Sequence, residues 1–276
     1  MFVMNLLAPV LLLLALSGCS SEVVNSFIQT CPKFFANPEG IVSPPTIFAG
    51  YNYKQICQIR ASVYEYATLY DTANRIPIYS AYKFESLSNC ERQTDWYIEP
   101  QLDNASARRE MALETNKTLL QNQAVNKDYA NRKTFGLDIG HLAPIFRGLA
   151  CSDATFTLTN AAPQNSIFKK GKWKATEIYV AVLLKQKCSM YDSYVVTGVV
   201  PGSVWLNNRV NVPNYVWIGY CCLANNRQTK LSGGFIGRNA DLPVSPVNLK
   251  ELEKYLSQFY MKPFYVFGGR CYLPGE

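Results

Sequence analysis

The chain has a single histidine, no Cys-x-x-Cys pair, no internal repeat and no low-complexity segment. The missing cysteine spacing argues against a zinc site, and the lack of repeats leaves one continuous domain, residues 21–276, as the simplest organisation. Charge is also sparse. Only 17% of the 276 residues are charged and 48% are hydrophobic, which allows a sizeable core and excludes a disordered tail or a fibre. After Leu16 no apolar run approaches the roughly 20 residues that a bilayer-crossing helix needs. Acidic residues number 20 against 27 basic ones, a formal charge of +7. That excess suits a polyanionic partner and suits many ordinary secreted proteins equally well.

From Phe2 to Leu16 the chain is almost wholly apolar, and small residues follow at Ser17, Gly18 and Ser20. This predicts a secretory signal peptide over residues 1–20 and a secreted, extracellular product. No lysine or arginine precedes the apolar run, and Leu16-Ser17-Gly18-Cys19 also has the form of a bacterial lipoprotein signal. Removing Cys19 leaves eight of the nine cysteines, an even number that predicts up to four disulfides. Adjacent Cys221 and Cys222 would point to opposite faces of a strand and so take different partners. Two sequons, at Asn104 and Asn116, predict a glycoprotein made on a eukaryotic secretory route.

Tyr66–Tyr70, a polar turn Asp71–Arg75 and Ile76–Phe84 predict a β-hairpin. Residues 105–130 are polar and predict an exposed helix or loop excursion. Alternation in Thr155-Phe-Thr-Leu-Thr159 predicts a strand that Asn160-Ala-Ala-Pro163 ends. A helix follows over 171–186, with Trp173, Ile178, Val180, Ala181 and Leu184 as its apolar contacts. Tyr194–Val200 and Tyr215–Cys222 predict buried strands. Ser245 and Pro246 predict the N-cap and first residue of a closing helix whose stripe is Leu249, Leu252, Leu256 and Phe259. Strands and helices mix without βαβ regularity, so the predicted fold is α+β around a mixed or antiparallel central sheet, stabilised by disulfides.

The lone histidine, His141, lies in Asp138-Ile-Gly-His141, before the predicted strand; Gln164 follows, and then a helix bearing Glu177. A histidine and a carboxylate so spaced can face one another across a small ββα unit. The stretch 138–177, with Asp-x-Gly-His, Thr-Asn-Ala-Ala-Pro-Gln164, Gly171, Trp173 and Glu177, resembles the DNA/RNA non-specific endonucleases of the ββα-metal class. Ala67–Asp71, Arg75–Tyr82, Ile98–Leu102 and Thr197–Pro201 more narrowly resemble the endonuclease domain-containing 1 proteins of vertebrates.

That resemblance implies a secreted hydrolase that cuts phosphodiester bonds in DNA and RNA without sequence preference, using Mg²⁺ or Mn²⁺. His141, whose imidazole titrates near neutrality, would be the general base. Asn160 would order the histidine loop and the metal's water shell, Glu177 would accept from metal-bound water, and Asp138 would shape the turn. Two positions depart from the family pattern. Ile139 stands where an arginine is expected, and Lys169 stands where the asparagine metal ligand belongs. An ammonium is a donor only and cannot ligate Mg²⁺. Either Asn165 replaces the ligand or Lys169 puts its own charge beside the phosphate. Arg147, Gln164, Lys169, Lys170 and Lys172 are the expected substrate contacts, gripping phosphates rather than reading bases. A second reading keeps the fold and gives up turnover: an extracellular module that binds nucleic acid or another partner.

Overall fold

The computed structural model describes residues 23–60, 62–85, 94–115, 120–144, 153–273 and 275. The predicted signal peptide, Cys90, Asn116, Arg147 and Cys151 fall outside these residues.

Eight strands form one antiparallel sheet: β1 (Val23–Val24), β2 (Tyr53–Arg60), β3 (Val63–Asp71) and β4 (Ile76–Phe84), then β9 (Asp192–Val200), β12 (Tyr215–Leu223), β13 (Thr229–Arg238) and β14 (Val244–Val247), in that spatial order. Three short pairs lie outside it: β5 (Tyr97–Ile98) with β6 (Ala112–Leu113), β7 (Leu137–His141) with β8 (Ala161–Asn165), and β10 (Val204–Leu206) with β11 (Val210–Val212). The helices are α1 (Phe27–Thr30), α2 (Ser166–Phe168), α3 (Lys174–Lys187) and α4 (Leu249–Phe259). The fold is α+β with an antiparallel sheet, and the hairpin and both buried strands lie where the sequence predicts them.

The sheet is covered on both faces, and β12 shows why a strand so apolar belongs at its centre. Val216, Ile218, Tyr220 and Cys222 pack into one core with Val180 and Leu184 of α3, while Trp217, Cys221 and Leu223 pack into the other with Leu252 and Leu256 of α4. A strand apolar on both faces reads as a continuous run rather than an alternation. Close packing demands glycine here: a Cβ on Gly198 of β9 would sit 2.2 Å from the Trp217 ring. The alternation also separates the adjacent cysteines. Cys222 bonds to Cys188 just past α3, Cys221 bonds to Cys271 in the C-terminal segment, and Cys31–Cys57 ties the N-terminal segment to β2.

Four local expectations are corrected. Residues 155–159 are not a strand: Asp153–Thr155 and Leu158–Asn160 form 3-10 turns, and the strand begins at Ala161. The helix near 171 opens with a π turn over Lys169–Trp173, and its Ile178 faces solvent. Ser245 and Pro246 belong to the edge strand β14, where a missing N–H is tolerated. The cap of α4 is Asn248, in a reciprocal box with Glu251. The described part of residues 105–130 is a loop excursion with the short strand β6 and a 3-10 turn over Asn126–Tyr129, and it is not wholly exposed, since Leu120, Ala124 and Tyr129 are buried within it.

Candidate active site

β7, β8 and α3 are consecutive in the fold, with only α2 and the π turn between β8 and α3, and together they make a ββα unit. The two strands pair antiparallel, with Asp138 opposite Gln164 and His141 opposite Ala161. Gly140 is required by this pairing, because a Cβ there would lie 2.2 Å from the Gln164 side chain. Gln164 is buried, and its Nε2 has no hydrogen-bond partner among the described residues. It packs under the strand pair rather than on an exposed substrate surface. Ile139, in place of the expected arginine, is 5% exposed and lies in the core beneath the unit.

His141 ends β7, 8% exposed, with its ring against Trp96 at 4.7 Å and Phe156 at 4.9 Å, and those two rings also touch each other at 5.5 Å. Neither aromatic stood out in the sequence, where aromatics make up 13% of residues and carry no spacing signal. The backbone after the histidine is held by Asn160. Its carbonyl accepts from the Leu142 N–H (2.9 Å), and its Oδ1 accepts from the Ala143 N–H (2.8 Å) and the Ser80 hydroxyl (2.9 Å). Its Nδ2 donates to the Ala143 and Thr155 carbonyls at 3.0 and 3.1 Å. The fully buried Asn160 therefore fixes the histidine loop with every polar atom of its side chain.

Near the start of β7 lies a charged cluster. Asp138 Oδ1 accepts from the Ile139 N–H at 2.9 Å and faces Arg132 Nε at 3.7 Å; its Oδ2 faces Lys169 Nζ at 3.4 Å and Lys170 Nζ at 3.8 Å. Burial opposes ionisation of Asp138, but Lys169, the Ile139 N–H and Lys170 outweigh it and hold the carboxyl below its usual range. Glu177, on α3, lines a narrow crevice with Tyr82, Phe84, Pro144 and Val180. Its side chain is half-buried. Burial pushes the acid up to about 8, against the opposing pull of Lys169, Trp173 and Lys174. Lys172 is drawn elsewhere, to Asp241 at 2.7 Å.

The metal expected from the resemblance does not fit these donors. Mg²⁺ and Mn²⁺ seek carboxylate, carbonyl and amide oxygens. Asn165 spends its Oδ1 capping α2, accepting from the Ile167 and Phe168 N–H groups, and Asn160 has committed its own amide. Asp138 is already surrounded by cations. Among the described residues no group of three His, Cys, Asp or Glu side chains gathers in metal-binding fashion.

A ββα unit that carries the histidine of the chain at the end of its first strand defines a nuclease-type protein of the ββα class. Comparison with known proteins agrees. Residues 44–259 match the family model described as DNA/RNA non-specific endonuclease, and the chain belongs to that family. It is 30% identical over 234 residues to the human endonuclease domain-containing 1 protein and 28% identical over 235 residues to the mouse one, covering 82% of this chain in each case. The chain spans 45% of the length of these curated relatives. Among solved structures, a chain from the EndoG/EndoGI complex matches with a TM-score of 0.51 and 20% identity, over 75% of this chain and 84% of that one. That likeness concerns the fold.

Proposed function

We propose that the protein is an exported endonuclease that hydrolyses DNA and RNA phosphodiester bonds without sequence preference, with His141 as the general base. The observation that carries this reading is the fixing of His141. The strand pairing, the Asn160 clamp on the next two residues and the contacts with Trp96 and Phe156 hold the one imidazole of the chain in place. Water loses its proton to the imidazole as its oxygen attacks phosphorus, and Lys169 and Lys170 offset the charge that builds on the phosphate oxygens. Lysine contacts of this kind read the backbone alone, so binding is indifferent to sequence and weakens with salt. Export is supported by the three described disulfides, by the apolar leader and by Asn104, which is exposed on a turn.

Plasmid nicking and RNA degradation test this reading. Because His141 is buried against two rings, His141→Asn is the informative variant beside His141→Ala. Both should lose about 100-fold or more in rate, the scale of a positioned base, while His141→Asn melts within a few degrees of the native protein. Full activity in His141→Asn would remove the histidine from the chemistry. Salt-sensitive binding without any cleavage by the native chain would favour a binding module built on this fold.

A further inference from the structure

We propose that the aromatic row Tyr215–Phe259–Tyr255, flanked by Arg238 and Lys254, is a second nucleic-acid contact of this protein, which takes single-stranded segments by stacking on their bases. The surface is separate from the ββα unit, and the identity of its partner rests on the nuclease reading above.

The row is built where β12 begins and α4 ends. Tyr215, the first residue of β12, packs half-buried against the core on the α4 side of the sheet. Phe259, the last residue of α4, lies against it with ring centroids 4.4 Å apart and planes 10° apart. One turn earlier, Tyr255 continues the row, 6.4 Å and 17° from Phe259. Near-parallel rings at these separations attract one another and hold their orientation. The core does not consume them. α4 anchors itself through Leu249, Leu252 and Leu256, and neither Tyr255 nor Phe259 belongs to that cluster. Tyr255, at the open end of the row, is 43% exposed. A large ring held in place by its neighbours and left open to solvent has the form of a stacking platform.

Charge selects the occupant. Arg238 stands opposite Tyr215 across the β12–β13 pair, so their side chains share a face of the sheet. Lys254 immediately precedes Tyr255 on α4. Both cations are exposed, and neither side chain has a hydrogen bond or ion pair among the described residues. Glu251, one turn before Tyr255, closes the capping box on the Asn248 N–H. Open cations beside open rings match phosphates beside bases. A duplex hides its base faces within its own stack, so only an unpaired strand uses both features.

The row also adjoins the ββα unit. Asn239, next to Arg238, accepts from the Asn165 N–H of β8 at 2.8 Å and donates to the Pro163 and Pro213 carbonyls at 3.1 and 2.9 Å. Asp241 holds Lys172 of the π turn at 2.7 Å. The end of the sheet that carries Tyr215 and Arg238 is thus tied to the Asn165 end of β8. A flexible single strand can pass round that end between unit and row, which a stiff duplex cannot follow.

The experiment reads the fluorescence anisotropy of a labelled DNA strand of mixed sequence, alone and in a duplex. It compares Tyr255→Ala, Tyr255→Trp and the double variant Arg238→Gln with Lys254→Gln against the parent, all in EDTA and in the His141→Asn background so that the strand stays intact. Melting temperatures control for folding, and plasmid nicking by the native chain is scored alongside. Tyr255→Ala should weaken single-strand binding by about 10-fold, the worth of one stacked base, and leave duplex binding unchanged. Tyr255→Trp should keep the affinity, and its added fluorescence should be quenched by the single strand and not by the duplex. The double cation variant should bind the single strand more weakly and flatten its salt slope by about 1.4, the share of two phosphates. Undiminished strand binding by a folded Tyr255→Ala, or equal losses for strand and duplex, overturns the inference, and nicking by the native chain keeps the nuclease reading standing. A native chain that neither nicks nor binds nucleic acid overturns both.

Discussion

At the scale of the residue, two buried polar side chains carry more of the site than their sequence positions suggest. Asn160 satisfies the Ala143 N–H and carbonyl, the Thr155 carbonyl and the Ser80 hydroxyl, all in the interior. Truncation to Ala would strand those groups, so Asn160→Ala should lose about 3 kcal/mol or more in urea unfolding; a change below 1 kcal/mol would deny the clamp its role. Glu177 acts through its proton. Its folded-state acid lies at about 8, above the ordinary glutamate value of 4.5, so the folded protein binds more protons than the unfolded chain between those limits. Stability from this group is complete below about pH 4.5 and is lost as pH rises through 8. Allowing for the partial exposure of the side chain, the loss is on the order of 2–4 kcal/mol. Glu177→Gln removes it. The variant should gain several degrees in melting temperature relative to the native protein between pH 5 and pH 9. Parallel melting curves across that range would contradict the burial argument.

At the scale of the element, the sequence was most legible where one force decides. Long apolar runs gave β9 and β12, turn chemistry gave the β3–β4 hairpin, and the leucine stripe gave α4. His141 and Glu177 stood out as a histidine before a strand and a carboxylate on the following helix, and Asp138 through the family resemblance. Errors arose where tertiary contacts override local pattern. The alternating Thr155–Thr159 segment is bent into 3-10 turns by the Asn160 clamp, so every residue in it is buried and alternation loses its meaning. The π turn was hidden because it opens the helix, where only the three residues of α2 precede it and no earlier stripe exists to be thrown out of phase. At α4, Ser245-Pro246 and Asn248 both offer a start, and Asn248 prevails because Glu251 completes the capping box from the third helical position. Asn248→Ala should therefore cost about 1 kcal/mol, read as a lower urea midpoint, while Ser245→Ala should leave the midpoint unchanged. Equal losses in the two would return the cap to Ser245.

At the scale of the whole molecule, the sheet divides the protein into a face that carries the ββα unit and a face that carries α4 and the terminal segments. Cys222 and Cys221 anchor those faces separately, through Cys188 and Cys271. The closed loops span 34 and 50 residues, and in the chain-entropy account each bond contributes about 4 kcal/mol. Stability and activity should therefore respond differently. Cys221→Ser with Cys271→Ser removes a staple from the face away from His141, so the melting temperature should fall while nicking at a temperature well below it is retained. Cys188→Ser with Cys222→Ser frees the end of α3, the helix that bears Glu177, and should lower stability by a similar amount and nicking as well. Equal effects of the two pairs on nicking would mean that the sheet transmits disorder between its faces, and that the site depends on the whole core rather than on the layer that holds it.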